Sequence, residues 1–209
     1  MSTLIIDTET NGILLYKQFW SQGIMSIGMV ERSENGKIVC QDKFYIKGVK
    51  EVKHFEGCHS LTVEECNESG ISLENAIRHL LKIMQRVDTI VAHNIEFDIG
   101  VLKYNIKESG HIDLLQKFNT ILDSKNLLCT MKLTVDICKI PSRMGYKYPK
   151  LIELYEFLYH EKPDEELHDA LGDCHVLKKC IDGLLGRGYV TNPISELSNI
   201  SCQEQKSKR

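Results

Sequence analysis

Two acids sit two positions apart in Ile5-Ile6-Asp7-Thr8-Glu9-Thr10-Asn11-Gly12, where an apolar run turns acidic. If that run is a strand, its period of two puts both carboxylates on the same side of the sheet. Like charges held together cost energy unless a cation lies between them. Hard oxygen donors of this kind suit magnesium or manganese. A solvated strand end would carry the same acids with no metal. A second stretch, Val91-Ala92-His93-Asn94-Ile95-Glu96-Phe97-Asp98, runs from an apolar strand into a helix with Asp98 in its first turn. The helix dipole alone favours a carboxylate there. Chemistry follows only if Asp98 faces the first pair. The third stretch is His168-Asp169-Ala170-Leu171-Gly172-Asp173. In a continuous helix, positions five apart are turned by about 140° from each other. His168 and Asp173 can meet only if His168 lies in the loop before the helix. An imidazole placed there is the natural general base near neutral pH. A lone histidine at a helix start is otherwise structural.

These stretches need a scaffold that joins three separate parts of the chain. Leu4-Ile5-Ile6 reads as a buried strand, followed by a second from Ile24 to Val30. Asn35-Gly36 is a strong hairpin signal. Lys37 to Ile46 then returns as a third strand, with Ile38, Cys40, Phe44 and Ile46 evenly spaced. Thr62-Val63-Glu64-Glu65 has the form of a capping box. Ser72 can cap a helix with Ile77, Leu80, Leu81 and Met84 on one face. A strand is expected over Thr89 to Ala92, a helix from Ile95 to Gly110, another from Ile112 to Leu122, and a strand over Leu127 to Thr130. Pro149 fits the first turn of a helix with Leu151, Leu154, Tyr155 and Leu158 on its apolar face. The last helix is expected from Asp169 to Leu185, ended by Gly186 and Gly188. Strands first, then alternating helix and strand, predict an α/β fold with a mixed sheet and helices on both faces.

The chain has 209 residues, 42% hydrophobic and 26% charged, which suits one soluble α/β domain. No apolar stretch approaches the ~18 residues of a membrane span. MSTLIIDTET lacks the basic start and apolar run of a secretory signal. The eight cysteines form no CxxC pair and read as reduced thiols. Together these predict an intracellular protein, cytoplasmic or nuclear, with no membrane partner. The net charge of −3 looks wrong for a nucleic-acid partner. Two bound divalent cations would bring it to about +1, so composition alone leaves nucleic acid open.

In this order, Asp7-x-Glu9, Asn94-x-x-Phe97-Asp98 and His168-x4-Asp173 resemble the three motifs of the DEDDh 3′–5′ exonuclease superfamily. That family includes the proofreading subunit of bacterial DNA polymerase III and small stand-alone exonucleases. The resemblance runs from about Leu4 to Leu185. Cys129-Thr130-Met131 and Tyr148-Pro149-Lys150-Leu151 resemble the segments between the second and third motifs. Gly57-Cys58-His59-Ser60-Leu61-Thr62 resembles the segment that approaches the terminal nucleotide, with Ser60 and Leu61 departing from the pattern.

The resemblance implies a ribonuclease H-like sheet in a domain over residues 1–190, while the polar composition beyond Thr191 predicts 191–209 as a flexible tail. The resemblance also implies hydrolysis from the 3′ end of DNA or RNA, releasing nucleoside 5′-monophosphates. Two divalent ions are expected, Mg2+ with Mn2+ able to substitute, about 3.5–4 Å apart. Asp7 would bridge them, Glu9 and Asp173 would complete the first site, and Asp98 would act at the second. His168 would be the general base. Thr10, Ile13, His59 and Asn94 would contact the terminal nucleotide. Expected partners are nucleic acid with a free 3′ end and a DNA polymerase or another replication or repair protein. Arg143, Lys147 and Lys150, interleaved with Tyr146 and Tyr148, are expected to help hold the nucleic-acid backbone.

Three other readings compete. A phosphatase of the haloacid dehalogenase class also begins with acids two apart, but it needs an aspartate where this chain has Glu9. His54, Cys58, His59 and Cys66 have zinc-ligand chemistry at irregular spacing. A catalytically weak nuclease fold could serve only as a binding subunit. The full set of four acids and one histidine argues against the last.

Overall fold

The computed structural model describes residues 2–11, 23–49, 61–165 and 168–190. The first strand, β1 (Thr3–Thr10), alternates two sets of side chains. Leu4 and Ile6 enter one core, while Ile5 enters the other. Antiparallel to β1 lies β2 (Ile24–Arg32), buried along its whole length. The turn at Asn35-Gly36 leads into β3 (Ile38–Tyr45), antiparallel to β2. Gly36 takes φ +84°, the left-handed conformation that such a turn requires. Ile38 starts β3 but is 41% exposed, so the evenly spaced set is not wholly a core face. Ile46 lies just past the strand and bridges to Ile71.

Helices α1 (Val63–Ser69) and α2 (Leu73–Arg86) begin at the two expected caps. Thr62 and Glu65 form a complete capping box, and Ser72 accepts from the Asn75 amide. Then come β4 (Thr89–Ala92), α3 (Ile95–Glu108), α4 (Ile112–Asp123) and β5 (Asn126–Cys129). Thr130, expected as a strand end, instead begins the short helix α5 (Thr130–Leu133), with α6 (Val135–Cys138) after it. The buried Thr130 hydroxyl donates to the Ala92 carbonyl at 3.3 Å, just where β5 gives way to α5. A small hairpin follows, β6 (Pro141–Ser142) and β7 (Gly145–Tyr146).

Helix α7 (Leu151–Tyr159) is capped by Lys150, so Pro149 lies before the helix and not in its first turn. Lys150 is extended, and the Pro149 carbonyl is held by His93 outside the helix. Last comes α8 (Ala170–Gly186).

The large sheet has the order β3-β2-β1-β4-β5, with β1, β4 and β5 parallel and β2 and β3 antiparallel to their neighbours. Residues of α2, α3 and α4 pack on the Leu4–Ile6 face. Residues of α7 and α8 pack on the Ile5 face. This is the expected α/β fold, a mixed sheet between two helix layers. Among the described residues, no helix is long and apolar enough to cross a membrane. The six described cysteines are unpaired thiols. The tail expected over 191–209 lies outside the described residues.

Candidate active site

Strand β1 and helix α8 bring the first acids together. Asp7 and Glu9 follow Ile5 at a spacing of two and leave β1 on the α8 side. Asp173 projects from the first turn of α8. One carboxylate oxygen from each of Asp7, Glu9 and Asp173 lies within 4.8 Å of the others. Asp98 comes from the opposite helix layer, in the first turn of α3. It is 3% exposed, and its Oδ1 accepts a hydrogen bond from Thr8 Oγ1 at 2.8 Å. The four acids thus flank β1 from both sides. Asp98 does not join the tight group of three.

The electrostatics reflect this crowding. Burial, then Asp98, Asp173, Glu9 and Asp169, pushes the Asp7 carboxyl well above the usual range. Burial, then Asp173, Asp169 and Asp98, lifts Glu9 from 4.5 to about 8. Burial raises Asp98 to about 7 against the opposing Thr8 hydrogen bond. Burial also raises Asp173 to about 6, while the His168 backbone amide pulls the other way. Among the described residues, Asp173 Oδ1 is buried with no hydrogen-bond partner. An all-oxygen cluster with one orphaned buried acceptor fits a hard divalent cation.

The approach of α8 depends on a glycine in β2. Asp7 pairs with Gly28 and Glu9 with Ser26, while Gly28 pairs with Lys43 and Ser26 with Tyr45. A Cβ at Gly28 would lie 2.2 Å from the Ala170 carbonyl oxygen and 2.6 Å from the Leu171 nitrogen. The bare backbone of β2 therefore lets the first turn of α8 settle on the sheet. His168 stands just before that turn, exposed, at φ +66°. The loop placement that the spacing required is what the chain adopts. Asp169 caps α8, with Oδ2 accepting from the Gly172 amide at 2.9 Å. Its Oδ1 accepts from Lys43 Nζ at 2.7 Å. Burial pushes Asp169 up, but Lys43 and the Gly172 amide outweigh it and hold the carboxyl below its ordinary value. Glu9, Ser26, Lys43, Tyr45, His168 and Asp169 line a cleft of about 160 Å³.

Sequence reasoning missed Lys43, Gly28 and Thr8. Only Gly28 left a signal, because glycine inside a strand marks a close backbone approach.

The expected substrate contacts divide in two. Thr10 ends β1 after a register shift and is 9% exposed. Asn94 stands at the start of α3 with φ +91°, and its side chain does not cap the helix. Ile13 and His59 lie outside the described residues, as do His54 and Cys58 of the zinc reading. Cys66 is buried, with its thiol toward the Met25 carbonyl. His93 was read only as part of a motif, yet it joins two segments. Its ring nitrogens lie 3.0 Å from Thr130 Oγ1 and 2.9 Å from the Pro149 carbonyl. Burial lowers its pKa from the ordinary histidine value, against the opposing hydrogen bond to the Pro149 carbonyl. In the basic-aromatic segment, Met144, Tyr146 and Tyr148 are exposed, while Lys147 is paired with Glu153.

Several solved structures share this fold. Exonuclease X, solved in complex with 5′ overhanging duplex DNA, aligns at TM-score 0.61 and 23% identity, over 94% of this chain and 99% of that one. A 3′-exonuclease solved recognising the 3′ end of a histone mRNA stem-loop aligns at TM-score 0.66 and 13% identity, over 90% and 82%. Exonuclease I of E. coli, bound to a dT13 oligonucleotide, aligns at TM-score 0.64 and 13% identity, over 88% and 40%. No curated protein sequence matches the chain. The exonuclease family model named for RNase T matches residues 4–181. The chain therefore belongs to the RNase T exonuclease family, within the DEDDh 3′–5′ exonuclease superfamily that its motifs resemble.

Proposed function

We propose that the chain hydrolyses the terminal phosphodiester at a free 3′ end of nucleic acid, releasing nucleoside 5′-monophosphates. The observation that carries this reading is the meeting of Asp7, Glu9 and Asp173 within 4.8 Å of one another, with Asp173 Oδ1 left unpartnered. Asp7, Glu9 and Asp173, with Asp98 beside them, would hold two divalent ions, Mg2+ or Mn2+, which when bound activate water and neutralise charge on the phosphate. His168, exposed beside the cleft that Glu9 also lines, takes a proton from the attacking water at its ring nitrogen. The water oxygen bonds phosphorus, and the bond to the 3′ oxygen of the next nucleotide breaks. That oxygen leaves as the new 3′ hydroxyl after gaining a proton. Thr8 holds Asp98, while Thr10 and Asn94 stand near the strand and helix ends where the terminal nucleotide would rest.

The similar structures hold duplex DNA, single-stranded DNA and an mRNA stem-loop, which supports a nucleic-acid substrate and favours neither sugar. DNA is the first substrate to try, and RNA the second. The test uses internally labelled DNA and RNA of equal sequence, single- and double-stranded, with Mg2+ or Mn2+. Stepwise release of 5′-monophosphates from the 3′ end is expected, and a blocked 3′ terminus should slow it. Equal degradation of blocked and free ends, or no release from any substrate, would contradict the proposal.

A further inference from the structure

Lys43 has no part in the chemistry above, yet it lies among the groups that perform it. Its ammonium is 2.7 Å from Asp169 Oδ1, joining β3 to the start of α8. The other oxygen of Asp169 receives the Gly172 amide at 2.9 Å. Both oxygens of this carboxylate therefore have fixed partners. Asp169 directly follows His168, whose φ of +66° is uncommon for a residue with a side chain and persists only where its surroundings hold it. Gly28 brings the same turn down on β2. Asp169 also adds to the negative field at Asp7, Glu9 and Asp173. Released from Lys43, it would be a further acid free to swing toward any cation held there.

We infer that Lys43 is a positioning residue, which holds Asp169 in its capping rotamer and so fixes the backbone from which His168 reaches the attacking water. It acts through Asp169 and does not touch the substrate. The kinetic part rests on the exonuclease reading, while the ordering of the turn does not. Two simpler roles make different predictions. A partly exposed ion pair can contribute almost nothing. A lysine in a nuclease cleft can also bind phosphate directly.

The experiment compares Lys43→Met and Lys43→Arg, each in the wild-type and Asp169→Asn backgrounds, since asparagine still caps a helix. Kinetics on a single-stranded oligonucleotide are paired with hydrogen exchange of the amides from 169 to 173. Lys43→Met should lower kcat about ten- to hundredfold, the scale of a small displacement of a catalytic group. KM should stay within about twofold, as expected when ground-state binding is intact. Lys43→Arg should recover most of the rate. In the Asp169→Asn background, Lys43→Met should change kcat little, because the route through Asp169 is already cut. Amide exchange over 169–173 should rise in Lys43→Met. An unchanged kcat, a loss carried by KM, or an equal loss in both backgrounds would each overturn the inference. If wild-type protein releases no mononucleotides, the exonuclease reading fails. Amide exchange then decides separately, and unchanged protection in Lys43→Met overturns the positioning role.

Discussion

Replacing Glu9 by glutamine should stabilise the protein in the absence of divalent ions, and the gain should grow with pH. In the folded chain, burial and the neighbouring acids hold the Glu9 carboxyl at about 8, against 4.5 for an ordinary glutamate. The folded state therefore keeps this proton more tightly than the unfolded chain does. Stability from this group is fully present below about pH 4.5, and it is lost as pH rises toward 8. At ~1.4 kcal/mol per pH step, that rise is worth at most about 5 kcal/mol. Glu9 is only half-buried beside an open cleft, and part of its shift comes from the charges of Asp173, Asp169 and Asp98, which also titrate. Solvent screening and protonation of those neighbours bring the expected loss to about 1–2 kcal/mol. Glutamine has no such charge. Urea unfolding in EDTA at pH 5, 7 and 8.5 should show wild type and Glu9→Gln alike at the lowest pH. Glu9→Gln should be more stable by about 1–2 kcal/mol at the highest. Millimolar Mg2+ or Mn2+ should reverse the order, since a ligand that binds only the folded state stabilises wild type. Identical pH slopes for the two proteins in EDTA would refute the reasoning.

Gly28→Ala should cost about 3 kcal/mol by overpacking, because its Cβ would meet the Ala170 carbonyl at 2.2 Å. Calorimetry and the rate of the remaining folded protein check this, and both should fall together. His168→Ala should lose about a hundred- to ten-thousandfold in kcat, the scale of a positioned base, while its melting temperature holds. Arg143→Glu should raise KM and flatten its salt dependence, as expected for a lost phosphate contact. The titration of KM against salt decides that, and Arg143 is the better probe because Lys147 is already paired with Glu153.

Much of the fold could be read locally. The alternation of Leu4, Ile5 and Ile6 prefigured two cores, and Thr62, Glu65 and Ser72 marked helix starts that the structure adopts. The last helix, expected from about Asp169, left His168 outside it, and α8 begins there with Asp169 as its cap. What stayed hidden depends on distant partners. Lys43 meets Asp169 across 126 positions, and Thr8 meets Asp98 across 90. No local period reports such pairs. Pro149 was misplaced because its carbonyl answers to His93 rather than to the helix that follows. The short helices at 130–138 and the hairpin at 141–146 are too brief to show a period. Asp98 was expected at the second ion, and it stands outside the closest three acids with its carboxyl accepting from Thr8.

The central claim is that the clustered carboxylates of β1 and α8 carry out hydrolysis at a 3′ end. Mononucleotide release by wild type and Asp7→Ala, measured side by side with Mg2+ on a single-stranded oligonucleotide, tests it most directly. Asp7 lies in the tight acidic group, so its removal should leave the metal-free fold intact or more stable. The rate should fall about a thousandfold or more, the scale expected for loss of a group that holds the reacting centre. A folded Asp7→Ala protein that releases 5′-monophosphates at the wild-type rate would contradict the account.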